Sequence, residues 1–183
     1  VYGAAFFFFF QSDEILRLIS TLKPVAGRLD TVYSDKGITA IVDYAHTPDA
    51  VSNTLSTLQK IAKNGKIITV IGCGGNRDKG KRPQMANIAY KASSQLILTS
   101  DNPRYENPSD IISDMLNGLT SEQQDNVLCI ENREQAIKTD CRLAKAGDLI
   151  LVAGKGHENY QEIEGVKHPF DDKKILENLL KNL

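Results

Sequence analysis

The sequence has no tryptophan, and only three histidines and three cysteines among 183 residues. Three thiols, at Cys73, Cys129 and Cys141, are too few for a disulfide scaffold and lack metal-ligand spacing, so reduced cysteines of a cytoplasmic protein are expected. Neither sign of charge dominates. With 22 basic and 23 acidic residues the net charge is −1, which gives no reason to expect nucleic acid as a partner. No apolar run approaches the ~20 residues needed to cross a bilayer, so no membrane association is expected. The chain is 41 % hydrophobic and 25 % charged, the make-up of one globular domain with a sizeable core. One oddity is Phe6 to Phe10, consecutive aromatics that fit neither a helix nor a strand period. The run lacks the basic segment and cleavage site of a signal peptide and is assigned no function; packing is its plain use.

Hydrophobic spacing puts Ile15, Leu18, Ile19 and Leu22 on one helical face, and Lys23-Pro24 ends that helix because a residue before proline leaves the helical region. Val25 to Arg28 reads as a linker. Five short apolar strands then alternate with helices: 38–42, 66–71, 95–99, 127–130 and 149–153. Thr47-Pro48 and Asn107-Pro108 each supply an N-cap followed by proline at the first helical position. Tyr160 to Ile163 and Val166 to His168, joined by Glu164-Gly165, read as a hairpin, and Asp171 or Asp172 caps a last helix. Apolar strands separated by helices imply right-handed βαβ units. The expected fold is α/β: a Rossmann-like, mostly parallel sheet of about five or six strands, helices on both faces, and a small antiparallel hairpin near the C-terminus.

Ligands of such sheets sit beyond the carboxyl ends of the strands. Four polar segments fall there: 43–49, 72–82, 101–104 and 154–158. The second, Gly72-Cys73-Gly74-Gly75-Asn76-Arg77-Asp78-Lys79-Gly80-Lys81-Arg82, mimics two phosphate motifs and satisfies neither. Arg77 stands where a dinucleotide fingerprint needs its third glycine, and Arg82 stands where a P-loop needs the hydroxyl that holds Mg²⁺. What remains is a glycine loop whose Arg77, Lys79, Lys81 and Arg82 suit carboxylates or phosphates, against the plainer reading of a solvated basic turn. In Asp43-Tyr44-Ala45-His46, a carboxylate can accept from ribose hydroxyls and an imidazole beside a helix N-terminus can meet phosphate oxygens. Taken alone, a histidine such as His46 is more often structural than a ligand, and Asp43 can be read as a turn residue. Asp101-Asn102-Pro103-Arg104 offers a planar guanidinium fork, although Asn-Pro also makes ordinary turns. In Gly154-Lys155-Gly156-His157-Glu158 the glycines permit close backbone approach and Glu158 can receive an ammonium group.

Together and in this order, "AGRLD", "DYAHTPD", "GCGGNRDKGKRP", "TSDNPR" and "AGKGHENYQ" resemble the C-terminal domain of the Mur ligase family, over residues 21–178. "DNPR" resembles the branch that adds meso-2,6-diaminopimelate to UDP-N-acetylmuramoyl-L-alanyl-D-glutamate rather than the branch that adds L-lysine. The resemblance implies an ATP-dependent, peptide-bond-forming ligase of peptidoglycan synthesis. Residues 1–25 would be the tail of a central ATP-binding domain and 26–183 the C-terminal domain, with "FFFFF" departing from the small and aliphatic residues expected in the tail. It implies that Arg77, Asn102, Arg104, Gly154 and Glu158, with Asp101 nearby, hold diaminopimelate. Arg28, Asp43, Tyr44 and His46 would meet ATP or ADP. Mg²⁺ and the UDP-sugar would be held mainly by domains not present in these residues, no catalytic residue is assigned here, and no metal ligand is expected. Lys79, Lys81, Lys155 and His157 are left without a role. The competing readings are a lysine-adding or folylpolyglutamate-type ligase, which "DNPR" and "GKGHE" disfavour, and a standalone small-molecule binding module. A nucleotide-binding oxidoreductase is disfavoured by the broken glycine fingerprint.

Overall fold

The computed structural model describes residues 27–62 and 65–182. The Phe6–Phe10 run, the helix expected over 13–22, the proposed domain tail and Asn64 lie outside the described residues. The elements are β1 (Asp30–Tyr33), β2 (Thr39–Asp43), α1 (Pro48–Ile61), β3 (Ile67–Cys73), α2 (Lys81–Ala92), β4 (Gln95–Ser100), α3 (Pro108–Leu116), α4 (Ser121–Gln124), β5 (Val127–Cys129), α5 (Arg133–Leu143), β6 (Leu149–Ala153), β7 (Tyr160–Ile163), β8 (Val166–Pro169) and α6 (Asp172–Lys181). Within the described residues the expected strands and helices are found, with ends shifted by a few residues.

Six strands form one sheet in the order β1-β2-β6-β3-β4-β5, and β7-β8 form a separate hairpin. Every neighbour pair in the large sheet is parallel except β1-β2. The sequence reading missed β1, because Asp-Thr-Val-Tyr has one buried apolar residue, Val32, and no apolar run. It forms as an edge strand by pairing with β2, and Lys173 of α6 clamps its Asp30 at 2.9 Å. The short α4 was missed too; a capping box between Thr120 and Gln123 holds it.

Pleating divides the strands' side chains between two apolar layers. Ile41, Ile67, Ile71, Leu96, Leu98, Leu149 and Leu151 face α1, α2 and α3. Ala40, Val42, Val70, Ile97, Ile150 and Val152 face α5 and α6. In register, Val42 lies beside Val152, Val152 beside Val70 and Val70 beside Ile97, so a one-residue slip would exchange both layers. The central strands β3 and β6 are buried throughout, as expected of strands covered on both faces. Thr47, Asn107 and Asp171, where the sequence places caps, each accept a backbone N–H of the first turn, and so does Asn132, which the sequence reading did not single out.

The strand order creates the crevice. The chain leaves β2 through α1 and enters β3 with one place skipped, and β6 fills that place last. The carboxyl ends of β2, β6, β3 and β4 therefore lie side by side, and the loop after each is one of the four polar segments. Among the described residues, no helix is long and apolar enough to cross a membrane.

Candidate functional site

Two cavities open along this edge and meet at Tyr44 and His46, which line both. The first, of about 440 Å³, is lined by Arg28, Asp43, Tyr44 and His46 together with Asn53, Thr54 and Thr57 of α1. Asp43 ends β2 and is mostly engaged: one oxygen accepts from the Leu29 amide at 2.9 Å, the other from the Ala45 amide at 2.9 Å and the Thr54 hydroxyl at 3.1 Å. A carboxylate has roughly four acceptor sites, so about one remains for a ligand hydroxyl. His46 Nδ1 lies 2.8 Å from the Tyr44 carbonyl. A carbonyl only accepts, so the proton sits on Nδ1 and Nε2 is left to the cavity. The Tyr44 ring lies 4.6 Å from that of His46 and 5.3 Å from that of His157. The α1 polar residues were not anticipated. They are spaced as an ordinary solvated helix face, and only the helix's position makes them a wall.

The second cavity, of about 460 Å³, collects all six residues expected to hold an amino acid: Arg77, Asp101, Asn102, Arg104, Gly154 and Glu158. Lys155, left without a role by the sequence, has a fully buried side chain that reaches three of the lining residues. Its ammonium is 3.0 Å from Asn102 Oδ1, 3.2 Å from Glu158 Oε2 and 3.4 Å from Asp101 Oδ1. Asn102 Nδ2 donates to the same Glu158 oxygen at 2.8 Å. Glu158 is thus held by one oxygen, and its Oε1 has no partner among the described residues. A lysine between glycines carried no sequence signal of burial; only the folded loop reveals its three acceptors. Burial pushes the Asp101 carboxyl above its usual range, against the opposing pull of Arg133 and Lys155.

Arg104 adopts a left-handed backbone, φ +53°, which costs a side-chain-bearing residue about 1–3 kcal/mol. The β7-β8 hairpin holds it there: the Arg104 amide donates to the Glu162 carbonyl at 3.0 Å, and the Glu164 amide donates to the Arg104 carbonyl at 2.7 Å. Its Nη1 donates to the Gly75 carbonyl at 2.8 Å, and its Nε lies 3.2 Å from Glu162 Oε2. Among the described residues, Nη2 has no partner. Gly154, at φ +115°, brings the end of β6 close to Asp101, whose Oδ2 would lie 3.4 Å from an added Cβ.

The structure corrects the reading of the basic loop. Arg77 is exposed at the cavity mouth and donates to the Asn76 carbonyl at 3.2 Å, but Arg82 turns inward. Its buried guanidinium donates to Glu106 at 2.9 Å, Asp114 at 2.8 Å and the Gly74 carbonyl at 3.2 Å, so it braces the loop and does not grip a ligand. That hydrogen bond draws Glu106 down to about 2, despite partial desolvation. Lys79 reaches Glu106 at 3.4 Å and Lys81 donates to the His46 carbonyl at 2.9 Å, joining the loops after β2 and β3. Beneath the site a buried bidentate pair, Arg133 with Asp172 at 2.8 and 2.9 Å, also ties the Ala153 carbonyl. Among the described residues, no three His, Cys, Asp or Glu side chains converge as a metal site.

The family described as Mur ligase, glutamate ligase domain, matches residues 27–156, which hold the sheet from β1 to β6, the first three loops and the start of the fourth. The chain belongs to this Mur ligase family. A UDP-N-acetylmuramoyl-L-alanyl-D-glutamate–2,6-diaminopimelate ligase of Phocaeicola vulgatus is 57 % identical over 183 residues, covering 100 % of this chain and 38 % of that protein. The enzyme of the same name from Bacteroides thetaiotaomicron is 58 % identical over 180 residues, 98 % of this chain and 37 % of its own. The chain therefore spans well under half the length of these curated relatives. A solved structure of a ligase of that name superposes with a TM-score of 0.78 at 41 % identity, over 98 % of this chain and 36 % of its own. A folylpolyglutamate synthase of Thermotoga maritima shares the fold at a TM-score of 0.57 and 19 % identity, over 79 % of this chain and 31 % of its own.

Proposed function

We propose that this chain is the amino-acid-binding, C-terminal part of a cytoplasmic ATP-dependent ligase that adds meso-2,6-diaminopimelate to UDP-N-acetylmuramoyl-L-alanyl-D-glutamate in peptidoglycan synthesis. The observation that carries the reading is the second cavity, where Arg77, Arg104 and Glu158 line one space and Arg104 Nη2 and Glu158 Oε1 have no partner among the described residues. An amino acid whose far end bears both a carboxylate and an ammonium matches such a set in charge. Arg104 and Arg77 take the carboxylate, the open oxygen of Glu158 takes the ammonium, and Asn102 and Lys155 keep Glu158 fixed before the ligand arrives. Lysine lacks the distal carboxylate and would leave Arg104 Nη2 unpaired.

The first cavity suits part of a nucleotide. Its fit rests on the one acceptor site left on Asp43, which suits a ribose hydroxyl, and on His46 Nε2 and Arg28 beside the N-terminus of α1, which suit phosphate oxygens. ATP, when bound, supplies a leaving group for the carboxylate that is to be joined to the amine. Mg²⁺ and the UDP-sugar fall to the remainder of the ligase, and residues 1–25 to the end of its ATP-binding domain, with 26–183 as the C-terminal domain. Tyr44 and His46 border both cavities, so the nucleotide and amino-acid sites are neighbours.

The test is product formation by the intact ligase from ATP, Mg²⁺, the UDP-linked dipeptide and either diaminopimelate or lysine. Ligation of diaminopimelate with lysine a poor substrate is expected. Equal use of both, or of neither, would overturn the assignment.

A further inference from the structure

Glu162 belongs to none of the residues so far given a ligand, yet it touches the amino-acid site at three points. Its carbonyl accepts from the Arg104 amide at 3.0 Å, its amide donates to Asn102 Oδ1 at 2.9 Å, and its carboxylate lies 3.2 Å from Arg104 Nε. The first two contacts are backbone and would persist with any residue at this position. The third belongs to the side chain alone.

A guanidinium can bind a carboxylate in parallel through its Nη1–Nη2 edge or through its Nε–Nη2 edge. In this chain the Glu162 carboxylate forms an ion pair beside Nε at 3.2 Å, and Nη1 donates to the Gly75 carbonyl at 2.8 Å and the Asn102 carbonyl at 3.5 Å. The nitrogen left for an incoming carboxylate is Nη2, which alone of the three has no partner among the described residues. The two side chains are 18 % and 23 % exposed, so the pair is shielded enough to hold an orientation without being sealed from solvent. Arg104 cannot be aimed from its own backbone, because its φ of +53° is itself imposed by the hairpin.

We propose that Glu162 is a positioning residue that sets the specificity of the amino-acid site, by pairing with Arg104 beside Nε and so presenting Nη2 to the ligand's distal carboxylate. The inference rests on the reading of Arg104 as the group that meets that carboxylate. Without the Glu162 carboxylate the fork can turn, and its Nε becomes a second docking edge in the wrong place. The distal carboxylate then loses alignment while the reacting amine at the other end of the ligand keeps its surroundings.

The experiment compares Glu162→Ala, Glu162→Gln and Arg104→Ala in the intact ligase, with meso-diaminopimelate and lysine as varied substrates. Glu162→Ala is expected to raise the KM for diaminopimelate by roughly three- to tenfold, with kcat moving less than twofold and lysine kinetics unaffected. Glu162→Gln keeps the side chain's shape without the charge of the ion pair and should leave the KM as poor as in Glu162→Ala; full recovery by glutamine would overturn the ion pair as the aiming contact. A KM unchanged in Glu162→Ala while Arg104→Ala is severely impaired would overturn the inference and leave the function standing. A fall in kcat equal for both substrates would assign Glu162 to holding the hairpin, and also overturn it. If Arg104→Ala itself treats both amino acids alike, the reading of Arg104 fails and this inference with it.

Discussion

Arg104→Ala is the perturbation that bears most directly on the choice of amino acid. The substitution leaves the strained backbone in place, because alanine at φ +53° is no freer than arginine, so the change isolates the guanidinium. Three contacts inside the protein are lost, to Gly75, Asn102 and Glu162, and with them the Nη2 donor, which has no partner among the described residues. A hydrogen bond to a charged group contributes about 1.5–3 kcal/mol, and a paired carboxylate makes two that share one desolvation cost. With the side chain 18 % exposed, solvent screening trims the upper end, leaving about 2–4 kcal/mol. That corresponds to a fall of roughly 30- to 1,000-fold in kcat/KM for diaminopimelate. Lysine has no group for Arg104 to hold, so its already low efficiency should change by less than about threefold. Arg104→Lys should not recover the loss, since an ammonium lacks the fork. The assay is initial-rate kinetics of the intact ligase with both amino acids. Equal falls for the two would refute the reasoning and make Arg104 a scaffold residue.

The 183-residue chain by itself should neither hydrolyse ATP nor form product, because it contains no Gly-x-x-x-x-Gly-Lys-Ser/Thr cradle; turnover that survives repurification would sink this. Titrating ADP into it by calorimetry should show affinity weaker than low micromolar, as half a site leaves the phosphates solvated. Asp140, buried in α5 with neither carboxylate oxygen partnered among the described residues, is pushed well above its usual range by burial. The unfolded chain therefore releases this proton first, and stability declines as pH rises from about 4 through the raised native value. Asp140→Asn should gain about 1–3 kcal/mol at pH 7.5 and nothing at pH 4; a gain independent of pH in urea unfolding would disprove the assignment. Arg82→Met should cost about 2–4 kcal/mol, because it strands Glu106 and Asp114. Glu106 is lowered to about 2, so its contribution is full above the ordinary 4.5 and fades as pH falls toward 2; the variant should lose this acid-sensitive component.

Much of the fold was legible because its signals are local. Five apolar strands, helix caps at Thr47, Asn107 and Asp171, and breaks at glycine and proline depend on side-chain size and backbone torsion within a few residues. The edge strand β1 escaped because its strand character comes from β2, a long-range partner. The site divides in the same way. All ten residues assigned to amino acid or nucleotide line one of two adjoining cavities. Their grouping followed from the rule that loops after parallel strands converge, joined to a family resemblance.

By itself the sequence determined the alternation of strand and helix, the placing of polar loops after strands and the absence of a phosphate cradle. All three depend on residue type and spacing along the chain. Tertiary structure alone decided what each charged group does. Arg77 and Arg82 are five positions apart in one basic loop, yet one stays exposed at the cavity while the other is buried against Glu106 and Asp114. Lys155 became the buried anchor of Asn102 and Glu158, and Glu162 came to face Arg104. A charge is solvated or paired according to which acceptors the fold brings within about 3 Å, and those acceptors lie from a few to more than fifty residues away in the chain.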